Sequence, residues 1–199
     1  MISLPEPTLN GNTSLEQILV ARRSIRNFSD KNLSLEQIAQ LLWAAQGTTS
    51  SNGFRTAPSA GALYPLVVYV VSGSNKGLAE GVYRYNANGH TLSKLSEKDF
   101  RDDFCNAGLS QTAIQKAPVT FLITGVFKKT TVKYGQRGLQ YVFMEAGHAG
   151  QNILLQAEAL GLGAVPIGAF QEKEIERLMK FSADEHPLYL ISVGHKMEH

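Results

Sequence analysis

Residues 141–161, YVFMEAGHAGQNILLQAEALG, have the hydrophobic spacing of one long helix. Small and aliphatic side chains recur at intervals of three and four residues, which places them on one helical face. These residues are Ala146, Ala149, Gly150, Ile153, Ala157 and Leu160. Because small residues allow a neighbouring helix to approach closely, we predict a central core helix over about 137–160, ended by the glycines that follow.

A second, polar face of this predicted helix carries Tyr141, Glu145, His148 and Asn152. Glu145 and His148 have the Glu-x-x-His spacing of di-iron carboxylate proteins, which need two such motifs and two further carboxylates. The chain has a single copy of the motif, so we predict no metal site. We interpret Glu145 and His148 as a buried, hydrogen-bonded pair near a helix interface.

Three apolar, β-branched segments predict core strands at 66–71, 119–127 and 188–194. A β-hairpin is predicted at 82–95, because Asn88-Gly89 supplies the residues that a tight turn needs. Predicted helices precede these strands and also interrupt them. This order favours an α+β or three-layer fold over a regular βαβ array.

The pentapeptide SLEQI occurs twice, at 14–18 and 34–38, and each copy marks the start of a predicted helix. A hydroxyl residue followed three positions later by Glu or Gln is the signature of a capping box. The predicted boxes are Thr13 with Glu16 and Ser34 with Gln37, and the two helices are predicted to end near Arg23 and at Gly47. The other predicted elements are a loop over 48–61 and helices over 97–115 and 172–181.

The overall composition excludes several classes of protein. The 19 Lys and Arg residues nearly balance the 17 Asp and Glu residues, and no basic stripe with interleaved aromatic residues suggests nucleic-acid binding. No apolar run is long enough to span a membrane, and residues 1–12 do not have the pattern of a signal peptide. Because Cys105 is the only cysteine, no disulfide within the chain and no Cys-based zinc site is possible. We expect a cytoplasmic protein.

Against this balanced background, Arg22, Arg23 and Arg26 form a local cluster with Ser24. One interpretation is that the first two arginines stabilise the negative end of a helix dipole. The other is an anion site, because guanidinium forks bind phosphate or carboxylate in a bidentate manner and a serine hydroxyl adds a neutral donor. Both interpretations remain open at this point.

Two further loops have the small residues that let a ligand approach the backbone. The first is PSAGALYP at 58–65, where Ser59 adds a hydroxyl group. The second is GLGAVPIGAF at 161–170. It is not a dinucleotide fingerprint, since Pro166 occupies the third glycine position and the segment follows a helix where the fingerprint follows a strand. We predict an apolar loop with exposed N–H groups that meets the edge of a flat heteroaromatic ring.

Adjacent Lys133 and Tyr134 are predicted to lie in the loop before the long helix. Such a pair can transfer protons together if burial lowers the pKa of the lysine. The alternative is an ordinary exposed surface.

Three segments, taken in their order along the chain, resemble the flavin-dependent nitroreductase superfamily. They are RRSIRNFS (22–29), PSAGALYP (58–65) and the helix ending in GLGAVPIG. The resemblance is closest to its SagB-type branch, the azoline (thiazoline or oxazoline) dehydrogenases, and covers nearly the whole chain. It implies one FMN-binding domain over residues 1–199, with a three-layer α+β sandwich around a mainly antiparallel sheet. It also implies an intertwined homodimer with two FMN molecules at the subunit interface.

The resemblance further implies which residues contact FMN. Residues expected at the phosphate, ribityl chain and pyrimidine edge are Arg22, Arg23, Ser24 and Arg26. Residues expected from the partner subunit's loop are Pro58, Ser59, Ala60, Gly61 and Leu63. Residues expected along the isoalloxazine ring, with a backbone N–H directed at N5, are Pro166, Ile167, Gly168 and Ala169. Many members have Glu where this chain has Gly168, and Lys196 is the basic residue near the end of the chain that corresponds to their phosphate ligand.

Within the SagB-type branch the Lys133–Tyr134 pair corresponds to catalytic residues. The general activity that the superfamily implies is NAD(P)H-dependent reduction of nitroaromatics, quinones or similar small acceptors. The alternatives are dehydrogenation of a peptide azoline together with peptide-modifying partner proteins, a flavin-binding module without turnover, and a small α+β protein without a cofactor.

Overall fold

The computed structural model describes residues 1–73 and 77–197. The helices are α1 (Leu15–Ala21), α2 (Leu35–Gln46), α3 (Arg101–Ala107), α4 (Thr112–Lys116), α5 (Lys128–Tyr134), α6 (Arg137–Ala159) and α7 (Glu172–Met179). The strands are β1 (Ile2–Ser3), β2 (Leu66–Ser72), β3 (Gly81–Asn86), β4 (Thr91–Ser96), β5 (Val119–Val126), β6 (Leu162–Ile167) and β7 (Glu185–His195). Within these described residues the seven strands form one sheet in the order β1-β4-β3-β2-β5-β7-β6, and every neighbouring pair is antiparallel.

Both faces of the sheet are buried, which explains why the central strands are continuous apolar runs. Alternate side chains of a strand point to opposite faces. In β2, Val68 and Val70 belong to the core under α2 and α6, whereas Tyr69 and Val71 belong to the core under α3, α4 and α7. The predicted three-layer α+β sandwich with an antiparallel sheet is therefore confirmed.

Helix α6 lies against the sheet through the predicted face of small residues. Ala149, Ile153 and Ala157 are buried in the core. A Cβ atom on Gly150 would lie 3.0 Å from the ring of Tyr189 on β7, so the absence of a side chain lets the helix lie close to that strand. The predicted helix over 137–160 is confirmed, with its last residue at Ala159.

Strand β6 lies where we predicted a loop, so that prediction is wrong for Leu162–Ile167. The segment pairs with β7 from Leu162 opposite His195 to Ile167 opposite Leu190. Such pairing is not visible in the local pattern, because the partner strand comes much later in the chain. Pro166 is tolerated because β6 is the outermost strand in the order of the sheet.

The second SLEQI box is confirmed, and the first is displaced by one residue. In both copies the serine of the pentapeptide is the N-cap: Ser14 pairs with Gln17, and Ser34 pairs with Gln37. The prediction of Thr13 with Glu16 is therefore wrong, because the serine one position later accepts the N–H bond. Helix α1 also stops at Ala21, before the predicted end at Arg23.

Three other segments differ from the predictions in local geometry. The hairpin of β3 and β4 is confirmed, but Ala87–Gly89 form a 3-10 turn and His90 takes the left-handed conformation, with φ of 45°. The predicted helix over 97–115 is divided into α3 and α4 by Leu109 and Ser110, which are both left-handed. Lys133 and Tyr134 end helix α5 rather than lying in a loop.

No helix within residues 1–73 and 77–197 has both the length and the apolar character that crossing a bilayer requires.

The two capping boxes provide a matched pair of substitutions. Ser34→Ala should reduce the free energy of unfolding by about 1 kcal/mol, because it removes an N-cap from a helix buried in the core. Ser14→Ala should reduce it by less than half as much, since Ile18 is the only buried residue of α1 and this helix can open locally. Urea denaturation of both variants measures the difference. Equal losses would show that α1 is as tightly coupled to the global fold as α2.

Candidate functional site

The arginine segment lies along the outer edge of β6. Ser24 forms a parallel bridge with Ala164, and the Ile25 N–H donates to the Ala164 carbonyl oxygen at 2.9 Å. A Cβ atom on Gly163 would lie 2.8 Å from the Ile25 side chain, so this glycine makes room for the segment. The structure therefore brings the predicted arginine cluster to the strand that leads into Gly168 and the residue after it.

The three arginines of this segment have different environments. Arg23 Nη1 donates to the carbonyl oxygens of Val20 and Arg22, each at 2.8 Å, so this side chain caps the end of α1. The guanidinium groups of Arg22 and Arg26 have no hydrogen bond or ion pair to any described residue. Helix capping thus accounts for Arg23, whereas Arg22 and Arg26 keep their donors available for an anion.

Beyond β6, the chain exposes Gly168 and Ala169. A Cβ atom on Gly168 would have no neighbour within 4 Å, so the space beside this backbone is open. The amide of Gln111 donates to the Ala169 carbonyl oxygen at 2.9 Å and so fixes the position of this turn. Sequence reasoning missed Gln111, because nothing in its local pattern indicates a contact with a segment so much later in the chain.

The loop 58–65 is held in an unusual backbone conformation. Gly61, Ala62 and Tyr64 are all left-handed, with φ values of 62°, 53° and 45°. Left-handed residues other than glycine are strained and cluster at ligand-binding sites. The Ser59 hydroxyl accepts a hydrogen bond from the Tyr64 N–H at 2.9 Å, which stabilises the loop in this form.

Glu145 also holds this loop from the buried face of α6. Its carboxylate accepts a hydrogen bond from the Ala60 N–H at 2.9 Å, and its side chain is buried. Burial raises the pKa of Glu145, an effect that hydrogen bonds from Ala60 and Ser59 partly oppose. His148 is exposed and makes no hydrogen bond to Glu145 within the described residues. The predicted buried Glu145–His148 pair is therefore wrong.

Lys133 and Tyr134 point towards the same loop from the end of α5. A Cβ atom on Gly61 would lie 2.7 Å from Tyr134 Oη and 2.8 Å from Lys133 Nζ. The ring of Tyr134 also packs edge-to-face on Tyr141, with centroids 5.2 Å apart. The structure thus brings together the predicted Lys–Tyr pair and the predicted loop 58–65, with ammonium and hydroxyl groups beside an exposed glycine backbone.

Lys196 lies near the arginine segment but has a partner of its own. It forms an isolated bridge with Phe28, and its Nζ donates to both oxygens of Glu158 at 2.8 and 2.9 Å. Its positive charge is therefore balanced within the chain, unlike the charges of Arg22 and Arg26.

The candidate site residues thus fall into two groups. The first group is the arginine segment with β6 and the turn at Gly168, and the second is loop 58–65 with Lys133 and Tyr134. No hydrogen bond, ion pair or ring contact joins the two groups within the part of the chain that the structure describes.

Comparison with known proteins places these features in a family. A profile described as "Nitroreductase family" matches residues 19–195. The chain belongs to the nitroreductase family. One relative is MJ1384 of Methanocaldococcus jannaschii, which is named as a nitroreductase. The two sequences are 41% identical over 184 residues, which cover 92% of each chain. The microcin B17-processing protein McbC of Escherichia coli is 30% identical over 143 residues, which cover 68% of this chain and 53% of McbC.

Several solved structures have the same fold as this chain. A structure from Ralstonia eutropha JMP134 that is named as a nitroreductase has a TM-score of 0.85 at 29% identity. The match covers 100% of this chain and 90% of the matched chain. The E. coli microcin synthetase complex McbBCD, with truncated pro-MccB17 bound, has a TM-score of 0.77 at 22% identity. The match covers 100% of this chain and 78% of the matched chain. The NADPH:FMN oxidoreductase of Vibrio harveyi, complexed with NAD+, has a TM-score of 0.69 at 18% identity. The match covers 92% of this chain and 69% of the matched chain. The last two show the fold alone.

Gly61 and Gly53 allow the contact with Lys133 and Tyr134 to be tested separately from backbone strain. Both glycines are left-handed, but a Cβ atom on Gly53 would meet nothing within 4 Å. Each Gly→Ala variant should lose about 1 kcal/mol of stability because alanine disfavours this conformation. Only Gly61→Ala should also displace the ends of Lys133 and Tyr134, which NMR of 13C-labelled tyrosine would detect as a shift of the Tyr134 ring. An unchanged Tyr134 resonance would refute the contact.

Proposed function

We propose that the protein is an FMN-dependent oxidoreductase that passes two electrons through flavin N5, from NAD(P)H to nitroaromatic, quinone or similar small acceptors. The observation that carries this proposal is the anchoring of Arg22 and Arg26, with their guanidinium donors free, beside the strand that leads to the open turn at Gly168. Membership of the nitroreductase family supports oxidoreductase chemistry. The NADPH:FMN oxidoreductase of the same fold supports flavin as the cofactor.

The residues of the arginine segment fit the anionic part of FMN. Two unpaired guanidinium forks can bind phosphate oxygens in a bidentate manner, and the exposed Ser24 hydroxyl adds a donor between them. Arg23 acts here by fixing the end of α1 and thereby the direction of the segment. Lys196 would reach the phosphate only by leaving Glu158, so we assign it a secondary role.

The turn after β6 fits the flat part of the cofactor. The open space at Gly168 and the exposed backbone of Ala169 leave room for a ring. Half-buried Pro166 would supply an apolar contact, whereas the Ile167 side chain is buried in the core and would offer only its backbone. When bound, FMN would supply reversible two-electron chemistry at its ring. The chain contributes the orientation of that ring through backbone held by Gln111.

A homodimer would complete the site. The two groups of site residues make no contact within one described chain, and the loop of Pro58, Ser59, Ala60, Gly61 and Leu63 would reach the cofactor from the partner subunit. Exposed apolar side chains on α1 and α6 offer a surface for a second copy: Leu15, Leu19, Val20, Phe143 and Met144. We treat residues 1–199 as one FMN-binding domain of such a dimer, in the cytoplasm.

A second candidate function is dehydrogenation of an azoline ring in a peptide. The observation that favours it is the convergence of Lys133 and Tyr134 on Gly61, since removal of a proton from carbon needs a positioned base. McbC, a microcin B17-processing protein, is a relative, and the McbBCD complex has the same fold. This function would require a peptide substrate and peptide-modifying partner proteins, whereas the first requires only small molecules.

Flavin binding is tested by the visible spectrum of the purified protein with and without NADH or NADPH. We expect flavin absorbance that NAD(P)H bleaches. Arg26→Ala should weaken FMN binding about tenfold or more, because hydrogen bonds to charged groups contribute about 1.5–3 kcal/mol. Lys94→Ala is the control, because it removes a positive charge from β4, which lies near the opposite edge of the sheet from β6. Equal FMN affinity in both variants would refute the role of the arginine segment.

The two functions are distinguished by Lys133→Ala and Tyr134→Phe. Both variants should retain bound flavin and lose about a hundredfold of their turnover on a thiazoline or oxazoline test compound, if these residues transfer the proton. Lys128→Ala, at the exposed start of the same helix, should behave as the unmodified protein. Unchanged turnover in both site variants would exclude the pair from catalysis, and reduction of a quinone without azoline turnover in the unmodified protein would favour the first function.

A further inference from the structure

A separate cavity of about 240 Å³ has Tyr64 among its lining residues but neither Lys133 nor Tyr134. It is lined by the end of β3 and the turn after it, by the start of β2, and by Lys129 of α5. Its charged lining residues are Arg55, Arg84 and Lys129, and no Asp or Glu is among its described lining residues. None of the residues that we assign to FMN lines it.

Arg55 forms the inner wall of this cavity. Its Nη1 donates to the Gln46 amide oxygen at 2.9 Å, and its guanidinium lies 4.5 Å from the centre of the Tyr64 ring. Its Nε is buried and has no hydrogen-bond partner among the described residues. An unpaired buried donor is unfavourable, so an acceptor atom entering the cavity would be stabilised there.

Lys129 and Arg84 are exposed residues that add two positive charges, and neither forms an ion pair with any described residue. Lys129 Nζ has only a long hydrogen bond, 3.4 Å, to the Tyr64 carbonyl oxygen. Burial lowers the pKa of Lys129, and the charges of Arg55 and Arg84 lower it further. The Arg84 guanidinium makes no hydrogen bond or ion pair with any described residue.

Glu185 is the carboxylate that acts on Lys129, but its Oε1 already accepts hydrogen bonds from Tyr69 Oη at 2.7 Å and Thr124 Oγ1 at 2.6 Å. Three like charges therefore share a polar cavity, and a bound anion would relieve their repulsion.

We propose that this cavity binds the carboxylate or phosphate group of a small molecule through Arg55, Arg84 and Lys129. The volume equals that of about eight water molecules at roughly 30 Å³ each, which suits a small organic acid or phosphate ester. Lys129 and Lys133 are four residues apart on α5 and so lie on one face, about one turn from each other. If the proposed function holds, the anionic group would anchor a substrate whose other end reaches Lys133 and Tyr134.

The buried Arg55 Nε–H gives a direct probe of the site. We would titrate 15N-labelled protein, saturated with FMN, with inorganic phosphate and separately with malonate, using sodium chloride at equal ionic strength as the reference. The expected result is a saturable shift of the Arg55 Nε–H resonance with at least one of the two anions and none with chloride. The phosphate and malonate arms show which group the site prefers.

Charge-removing variants locate the binding site. The double variant Arg84→Gln with Lys129→Gln should weaken anion binding at least tenfold, whereas Lys128→Gln, on the neighbouring exposed residue of α5, should leave it unchanged. No saturable shift with either anion, an equal shift with chloride, or equal affinity in both variants would overturn the proposal. If the protein fails to bind FMN, the same titration without flavin still tests this site, so failure of the proposed function would be recognised separately.

Discussion

The close packing of α6 against the sheet is the constraint on which the rest of the structure depends. Gly150 lets the helix lie on Tyr189 of β7, and Asn152 donates to the carbonyl oxygen of Ala44 at the other side of the helix. From that fixed position Glu145 reaches the Ala60 N–H. One helix thus sets the distance between sheet and outer layer and also fixes the loop that carries Gly61.

Because α6 is fixed, it supports the strained loop 58–65 through the contact of Glu145 with the Ala60 N–H. The cost of left-handed Ala62 and Tyr64 is offset by the hydrogen bonds at Ser59 and Ala60. Preorganisation of this kind reduces the entropy that a ligand must overcome on binding. The proposed flavin site and the proposed anion cavity share this loop: the flavin is assigned to residues before Tyr64, and Tyr64 lines the anion cavity.

Elements encoded by local patterns were predicted well from the sequence, and those that depend on distant partners were not. The capping box at Ser34 and the small-residue face of α6 are local signals, so the start of α2 and the central helix were found, and the start of α1 was missed by one residue. Strand β6 was missed because its identity comes from pairing with β7. Among the candidate site residues, the segments 22–29 and 58–65 were proposed from the sequence. Gln111 and the cavity cations were not, since Arg55 lies in a Ser- and Thr-rich loop and Lys129 in a helix without a clear start signal.

The bridge between Ser24 and Ala164 has a consequence for solubility. An outermost strand with free N–H and C=O groups is a template for the addition of other chains, and proteins limit this risk with proline, charge or a covering segment. Here Pro166 removes one donor, and the arginine segment covers Ala164 with positively charged neighbours. The same residues that are proposed to bind the cofactor thus cover the edge strand and limit its pairing with other chains into fibrils.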